Sequence, residues 1–210
     1  MITLLHPSRG RPEQAFSTFK AWKAKAKNEF DYILGLDESD KTVTRYKELY
    51  ASVGENVRAF IGNNNSVVEC TNKIAKFAKG DIIIYLSDDF ECPDNWDVLI
   101  TEAVKGKDIF MLKVHDGVQP FEQTVLTIPI MSKTLYDKLG SFWHPGYKSM
   151  WCDVDLWYAT KEYHVYAPEL EFKHLHWVEH GKVDATYKHT EKNWLQGNTV
   201  FEKRKQEMGW

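Results

Sequence analysis

No stretch of this 210-residue chain approaches the ~20 consecutive apolar residues that a membrane helix requires, so a helical membrane span is not expected. Cysteine is scarce: Cys70, Cys92 and Cys152 are odd in number, unevenly spaced, and include no C-x-x-C pair. No apolar leader precedes them. That usage argues against a disulfide framework and for a reducing compartment, and the expected protein is soluble and cytoplasmic. Neither sign of charge is in large excess, and a formal net charge of −3 gives no general attraction to nucleic acid or to an anionic membrane. Also missing are a G-x-G-x-x-G after the first apolar run, a P-loop, a G-x-S-x-G elbow and an H-E-x-x-H pair. Their absence removes the best-marked dinucleotide, NTPase, hydrolase and zinc-peptidase classes. There is no internal repeat and no low-complexity linker.

What is present is an ordinary globular composition, 43% hydrophobic and 27% charged, long enough for a sizeable core in a single domain. Aromatic residues reach 14%, with 8 Trp, and core packing is the expected role of most of them. Residues 9–27 carry six Lys/Arg against Glu13 alone, and residues 173–210 carry seven Lys/Arg against five Asp/Glu, with four His. Both ends are therefore mildly basic.

The pattern along the first half is β-α repeated. Ile2–Leu5 reads as a strand running into His6-Pro7-Ser8-Arg9-Gly10-Arg11-Pro12, and Phe16, Phe19, Trp22 and Ala26 then recur at helical spacing. A second strand, Tyr32–Leu36, ends in Asp37-Glu38-Ser39-Asp40. A helix from Val43 to Tyr50 leads to a third strand, Val57–Ile61, and then to the loop Gly62–Ser66. The next helix places Val67, Cys70, Ile74, Phe77 and Ala78 on one face, closed by Lys79-Gly80. The fourth strand, Ile82-Ile83-Ile84-Tyr85-Leu86, ends in Ser87-Asp88-Asp89. Four such units predict a parallel, doubly wound α/β sheet whose carboxyl edge gathers these polar tips into a ligand crevice.

Beyond Asp89 the spacing predicts a helix through Trp96 and Ala103, then strands Ile109–Val114 and Thr124–Met131 joined by a hairpin-like loop, which adds antiparallel pairing. Ser132 caps a helix that Gly140 ends. Ser141–Met150 reads as a loop over the cleft, and Trp151–Ala159 as entry to an amphipathic helix with Asp153 near its start. Strands near His164–Tyr166 and Leu170–His176 and a final helix from about Glu191 complete the chain.

Two adjacent carboxylates on a strand tip repel each other unless a cation or hydrogen-bond donors hold them. The order of the Pro-Ser-Arg loop, the acid after the second strand, the Asn-rich loop, the strand ending in Asp88-Asp89, Ile128-Pro129-Ile130-Met131-Ser132 and Asp153-Val154-Asp155-Leu156 resembles a GT-A glycosyltransferase, closest to the inverting family-2 enzymes. The resemblance covers roughly residues 2–177 and rests on order and spacing. It implies a single GT-A-like domain with a nucleotide-binding half over 1–90, an acceptor and catalytic half over 91–177, and a helical tail over 178–210.

The resemblance implies further that the donor is a nucleotide-diphosphate sugar, with a UDP-sugar favoured, and that Mn²⁺ or Mg²⁺ assists. Asp89 is assigned to the metal and Asp88 to the ribose. A late histidine, His174 or His176, completes the metal site, and imidazole favours manganese. Asp153 takes the place of the base that deprotonates the acceptor hydroxyl, with Asp155 as the fallback. Pro7, Ser8, Arg9 and Arg11 contact the nucleotide, Asp37 accepts from a uracil N–H, and Asn64, Asn65 and Lys73 are further donor-pocket candidates. No Q-x-x-R-W is present, which points to transfer of one sugar to a saccharide, a protein, or a hydroxylated DNA base. Ser87 and Cys152 stand where the family pattern has acids. Those departures keep in view a non-catalytic nucleotide-sugar or glycan-binding module, and the shared sheet topology and metal carboxylates keep a nucleotidyltransferase in view as well.

Overall fold

The structure, a computed structural model, describes residues 1–51, 53, 57–175 and 192–210. Its centre is a sheet built on β1 (Ile2–Ser8), β2 (Asp31–Asp37), β3 (Val57–Gly62) and β4 (Ile82–Tyr85), all mutually parallel. Between them lie α1 (Pro12–Lys25), α2 (Val43–Tyr50) and α3 (Val67–Ala75). Then follow β5 (Phe90–Glu91), α4 (Trp96–Ala103), β6 (Met111–His115), β7 (Ile130–Ser132), α5 (Lys133–Leu139), α6 (Cys152–Thr160), β8 (His164–Glu171), β9 (Lys173–His174) and α7 (Trp194–Met208).

Among the described residues the main sheet has the order β3-β2-β1-β4-β7-β6-β8, and β5 pairs with β9 in a separate two-stranded sheet. β7 is antiparallel to both β4 and β6, whereas β6 and β8 are parallel. This is the expected α/β architecture with an antiparallel extension. None of the described helices is long and apolar enough to cross a membrane.

Burial explains the strands. β1 and β2 are buried at every position, as strands covered on both faces must be. Side-chain alternation then divides the core: Leu4, Leu34 and Ile84 pack with Trp22, Trp96 and Phe172, while Leu5, Ile33 and Ile83 pack on the other face with Met131, Phe142 and Trp143. Three of the eight tryptophans, Trp22, Trp96 and Trp143, are buried here. Trp22 donates its indole N–H to the Phe90 carbonyl at 2.9 Å and Trp96 donates to the Trp22 carbonyl at 2.9 Å, tying α1 and α4 to β5.

β1 and β4 stay in register only from Ile2↔Ile82 to Leu5↔Tyr85. Beyond that point the bridging contacts are made by side chains, from His6 and Ser8 to Asp88, at the carboxyl edge. Pro7 lies past the end of that pairing, so its missing N–H costs no ladder bond to β4.

Three expectations need correction. α3 ends at Ala75, not at Lys79, and Phe77 is 48% exposed and stacked on Phe60 instead of facing the core. The chain leaves the helix in tighter turns, Phe77 N–H to the Ile74 carbonyl and Ala78 N–H to the Ala75 carbonyl, and then passes β1 at Gly80, where a Cβ would sit 2.7 Å from the Met1 carbonyl and the Thr3 nitrogen. β7 is only Ile130–Ser132, because Asp116 draws the preceding residues into a loop by accepting from the N–H groups of Val118 and Gln119 and from the Thr127 hydroxyl. The two strands expected over 164–176 are one long β8 with a register shift opposite Val114/His115, followed by the short β9. Pro168 is accommodated in β8 because that strand lies at the sheet edge.

At the opposite end of the molecule from the crevice, Asp97 accepts from the N–H groups of Lys27 and Asn28 and from the Asn28 side chain at 2.8–2.9 Å. Burial alone would raise its pKa, but these donors outweigh burial and hold it below the ordinary carboxylate value. Because the folded pKa is depressed, this stabilisation is present above the unfolded carboxylate pKa and is lost as pH falls through the folded one. Asp97→Ala is expected to cost about 1–3 kcal/mol in urea unfolding at pH 7, with the difference from wild type shrinking in acid.

Candidate functional site

The N-terminal loop leaves β1 at Ser8 and turns at Gly10, whose φ of +70° suits glycine. Its backbone is pinned: Gly10 donates to Asp40 at 2.8 Å and Arg11 donates to the Tyr46 hydroxyl at 3.1 Å. The Ser8 hydroxyl lies 2.8 and 3.0 Å from the two Asp88 oxygens, and the Arg11 guanidinium is 4.0 Å from Asp88. Ser8, Arg11 and Asp88 are thus brought together as expected. Pro7 is buried within β1.

Asp89 is 6% exposed, and its Oδ2 lies 3.4 Å from Nε2 of His174. These residues are far apart in sequence, and backbone pairing brings them together. β5 and β9 pair Phe90 with His174, Leu175 donates its N–H to the Asp89 carbonyl at 2.8 Å, and the Phe90 ring meets the imidazole edge-on at 4.8 Å. His176 lies outside the described residues.

A divalent cation was expected at this place. Among the described residues no three His, Cys, Asp or Glu side chains gather tightly enough to hold a metal by themselves. Asp89 and His174 nevertheless fit a partial shell. Their 3.4 Å spacing is longer than a well-formed N–H···O bond yet close to the separation of two adjacent ligands on one small cation. One carboxylate oxygen with one imidazole nitrogen suits manganese, and a cation of this kind commonly completes its shell with substrate phosphates and water.

Asp153 enters from the other half of the chain. Trp151 adopts φ 73°, an unusual conformation for a large side chain, and directly precedes α6, so Asp153 falls in the helix's first turn. Its carboxylate accepts from the Val154 N–H at 2.9 Å. Burial pushes its pKa above the ordinary carboxylate value, against the backbone N–H groups and the nearby His174, which favour the charged form. Asp153 keeps partial surface exposure while crowded by protein atoms, the combination found on the floor of a recess.

The fallback candidate Asp155 is excluded from that floor. It is 2% exposed and bound to the Arg204 guanidinium and, at 2.9 Å, to the Tyr147 hydroxyl, which locks α7 onto α6. The fit is close, since a Cβ on Gly197 would collide with the Met150 carbonyl at 2.3 Å. Arg204→Ala leaves a buried carboxylate without its cation, and a loss of about 3–5 kcal/mol in chemical denaturation is expected. Asp155→Leu combined with Arg204→Leu recovers much of that loss, because the uncompensated charge is gone.

On the donor side, Asp37 receives the Ser39 N–H and hydroxyl on Oδ1 at 2.7 and 2.6 Å, and Arg9 approaches Oδ2 at 3.1 Å. Burial opposes its ionisation, but the Ser39 and Arg9 contacts prevail and its pKa is lowered. Asn64 donates its side-chain amide to the carbonyls of Leu36 and Gly62. Asn65 and Lys73 are exposed and engaged with Glu69 at the start of α3.

Three residues at this edge went unnoticed in the sequence. His6 and Tyr46 contact Asp88 directly and through Ser8, respectively. Tyr85 ends β4 beside both carboxylates and Cys152; burial and then these neighbours push its phenol pKa upward. The alternation of β4, which turns Tyr85 to the face opposite Ile84, was the available signal.

The sequence matches no protein-family model and no curated protein. Solved structures do resemble it. TarS 1–349 of S. aureus aligns over 93% of this chain and 70% of that chain, with a TM-score of 0.66 at 13% identity. TarS 1–349 in complex with UDP-GlcNAc aligns over 81% of this chain and 57% of that one, with a TM-score of 0.65 at 11% identity. The mannosyltransferase PcManGT from Pyrobaculum calidifontis, in complex with GDP-Man and Mn²⁺, aligns over 82% and 56%, with a TM-score of 0.63 at 10% identity. The chain spans a little over half the length of these two ligand-bound chains. The fold is therefore that of the GT-A-like glycosyltransferases.

Proposed function

We propose that this chain is a metal-dependent, inverting glycosyltransferase that moves one sugar from a nucleotide-diphosphate donor to an acceptor hydroxyl. The observation that carries this reading is the meeting of Asp89 with His174 at the sheet's carboxyl edge, with the partly exposed Asp153, whose pKa burial raises, alongside. The donor complexes of the similar structures, one with UDP-GlcNAc and one with GDP-Man and Mn²⁺, support it.

In this reading Asp89 and His174 would hold Mn²⁺, or Mg²⁺, which when bound would supply positive charge for the departing diphosphate. Arg11 adds a fixed positive charge, and Asp88 accepts from a ribose hydroxyl. Asp153 takes the proton from the acceptor oxygen as that oxygen bonds to the anomeric carbon and the bond to the diphosphate breaks. Asp37 favours uridine. Its Oδ1 already accepts twice from Ser39, and Oδ2, beside Arg9 at 3.1 Å, has room for one further donor, which matches the single N–H of uracil better than the paired donors of guanine.

The lysines of α1 are partly engaged: Lys20 and Lys23 lie over the Phe16 and Phe19 rings, and Lys25 donates to the Cys92 carbonyl. This favours a saccharide or protein hydroxyl over a DNA acceptor. The test is incubation with Mn²⁺ and a panel of UDP- and GDP-sugars. Release of UDP is expected. Binding of neither UDP nor GDP at millimolar concentration refutes the reading, and release of pyrophosphate converts it to nucleotidyl transfer.

A further inference from the structure

Asp88 sits where two chains of hydrogen bonds converge. In the first, the Arg11 N–H donates to the Tyr46 hydroxyl, which is 2.7 Å from the Ser8 hydroxyl, which in turn donates to Asp88. In the second, the Tyr50 and Tyr32 hydroxyls are 3.0 Å apart, Tyr32 is 2.6 Å from Nδ1 of His6, and Nε2 of His6 is 2.9 Å from Asp88 Oδ1. The Thr18 hydroxyl holds the Asp88 carbonyl at 2.6 Å, so main chain and side chain are both fixed.

A carboxylate can only accept, which makes Ser8 the donor to Asp88 and Tyr46 the donor to Ser8. Nε2 of His6 must carry a hydrogen. In the neutral ring, Nδ1 must then accept from Tyr32, whose oxygen accepts from Tyr50. Burial, with the negative charge of Asp88 adding to it, keeps the phenols of Tyr32, Tyr46 and Tyr50 protonated and able to donate. His6 is fully buried, and each of its ring nitrogens has one partner. The tyrosines of α2 and β2 thereby select the imidazole tautomer that faces the site.

The consequence falls on the donor pocket. Oδ1 of Asp88 is filled by His6 and Ser8, whereas Oδ2 has only the longer 3.0 Å contact with Ser8 and Arg11 at 4.0 Å, so Oδ2 is the oxygen with room for a hydroxyl from outside. We propose that His6 is a positioning residue of this pocket: it holds Asp88 in one orientation, aims Oδ2 outward, and steadies the Ser87–Phe90 turn that carries Asp89. Tyr32 and Tyr50 act through it. This inference rests on the donor reading above.

The test is calorimetric titration of UDP with Mn²⁺ into the full chain. His6→Ala is expected to weaken UDP about ten- to a hundredfold, the range found when the partners that orient a ligating group are removed. His6→Gln restores an N–H near the place of Nε2 and recovers part of the affinity. Tyr32→Phe, which no longer selects the tautomer, falls between wild type and His6→Ala. Asp97→Ala is the stability control, since it weakens the fold at the other end of the sheet and is expected to leave UDP affinity unchanged.

Wild-type affinity in His6→Ala overturns the proposal, as does an equal loss of affinity in Asp97→Ala at a matched melting temperature. If His6→Ala does not fold, wild-type affinity in both His6→Gln and Tyr32→Phe overturns it. Wild-type protein that binds neither UDP nor GDP refutes the donor reading itself, before any variant is compared, and this inference falls with it.

Discussion

Asp89→Ala is expected to abolish Mn²⁺-dependent binding of UDP and to lower sugar transfer by about a thousandfold or more, the scale of several kcal/mol of lost charge stabilisation. The argument starts from position. The carboxylate is nearly sealed from solvent, adjoins a histidine at a distance too long for a good hydrogen bond, and is fixed by the pairing of β5 with β9. A buried carboxylate next to a second one is costly unless positive charge joins it. Asp89→Asn retains an oxygen but not the charge, and is expected to bind UDP between Asp89→Ala and wild type.

His174→Ala, removing the other donor, follows the same direction. Chelation of wild-type protein reproduces the loss, and Mn²⁺ reverses it more effectively than Mg²⁺ because imidazole is a better ligand for manganese. Each variant is compared by circular dichroism and melting temperature, which are expected to stay within a few degrees of wild type. Full Mn²⁺-dependent binding in folded Asp89→Ala removes the metal assignment and the reaction built on it.

The strands of the first half were legible because their burial is continuous: Ile2–Leu5, Tyr32–Leu36 and Ile82–Ile84 are apolar runs flanked by polar tips, and a doubly wound sheet is the one common way to cover such runs on both faces. The tips themselves, Ser8, Asp37 and Asp88-Asp89, followed from that topology. The second half was less legible because its elements are set by contacts between distant residues. Asp116 shortens β7 by drawing in Thr127, and β5 and β9 exist only through the pairing of Phe90 with His174.

His6 escaped notice for a related reason. In sequence it is one polar residue in a short apolar strand, and only the folded register places it between Tyr32 and Asp88. Asp155 shows the converse. It shares the first turn of α6 with Asp153, but its partner Arg204 lies on the last helix, and nothing near Asp155 in sequence announces that pairing.

Asp153→Asn separates chemistry from binding. Transfer is expected to fall by about 10²- to 10⁴-fold in kcat, the usual contribution of a positioned base, while the affinity for UDP with Mn²⁺ stays at the wild-type value. A base must be ionised to act. Since burial raises the Asp153 pKa above the ordinary carboxylate value, the acidic limb of the wild-type kcat profile is expected above that value, and activity rises with pH through it. The Asn variant loses that limb.

Stability moves the other way. A carboxyl whose folded pKa is raised binds its proton more tightly in the folded chain than in the unfolded one. Stability therefore falls as pH rises from the unfolded pKa to the folded one, and it stays lower above both. Asp153→Asn carries no charge to desolvate, so it should be at least as stable as wild type at pH 7 and the comparison should converge in acid. Lower activity with retained or higher stability marks a residue kept for chemistry, whereas an N-cap acid would lose stability on replacement and leave kcat unchanged. Undiminished transfer in folded Asp153→Asn would remove Asp153 as the base.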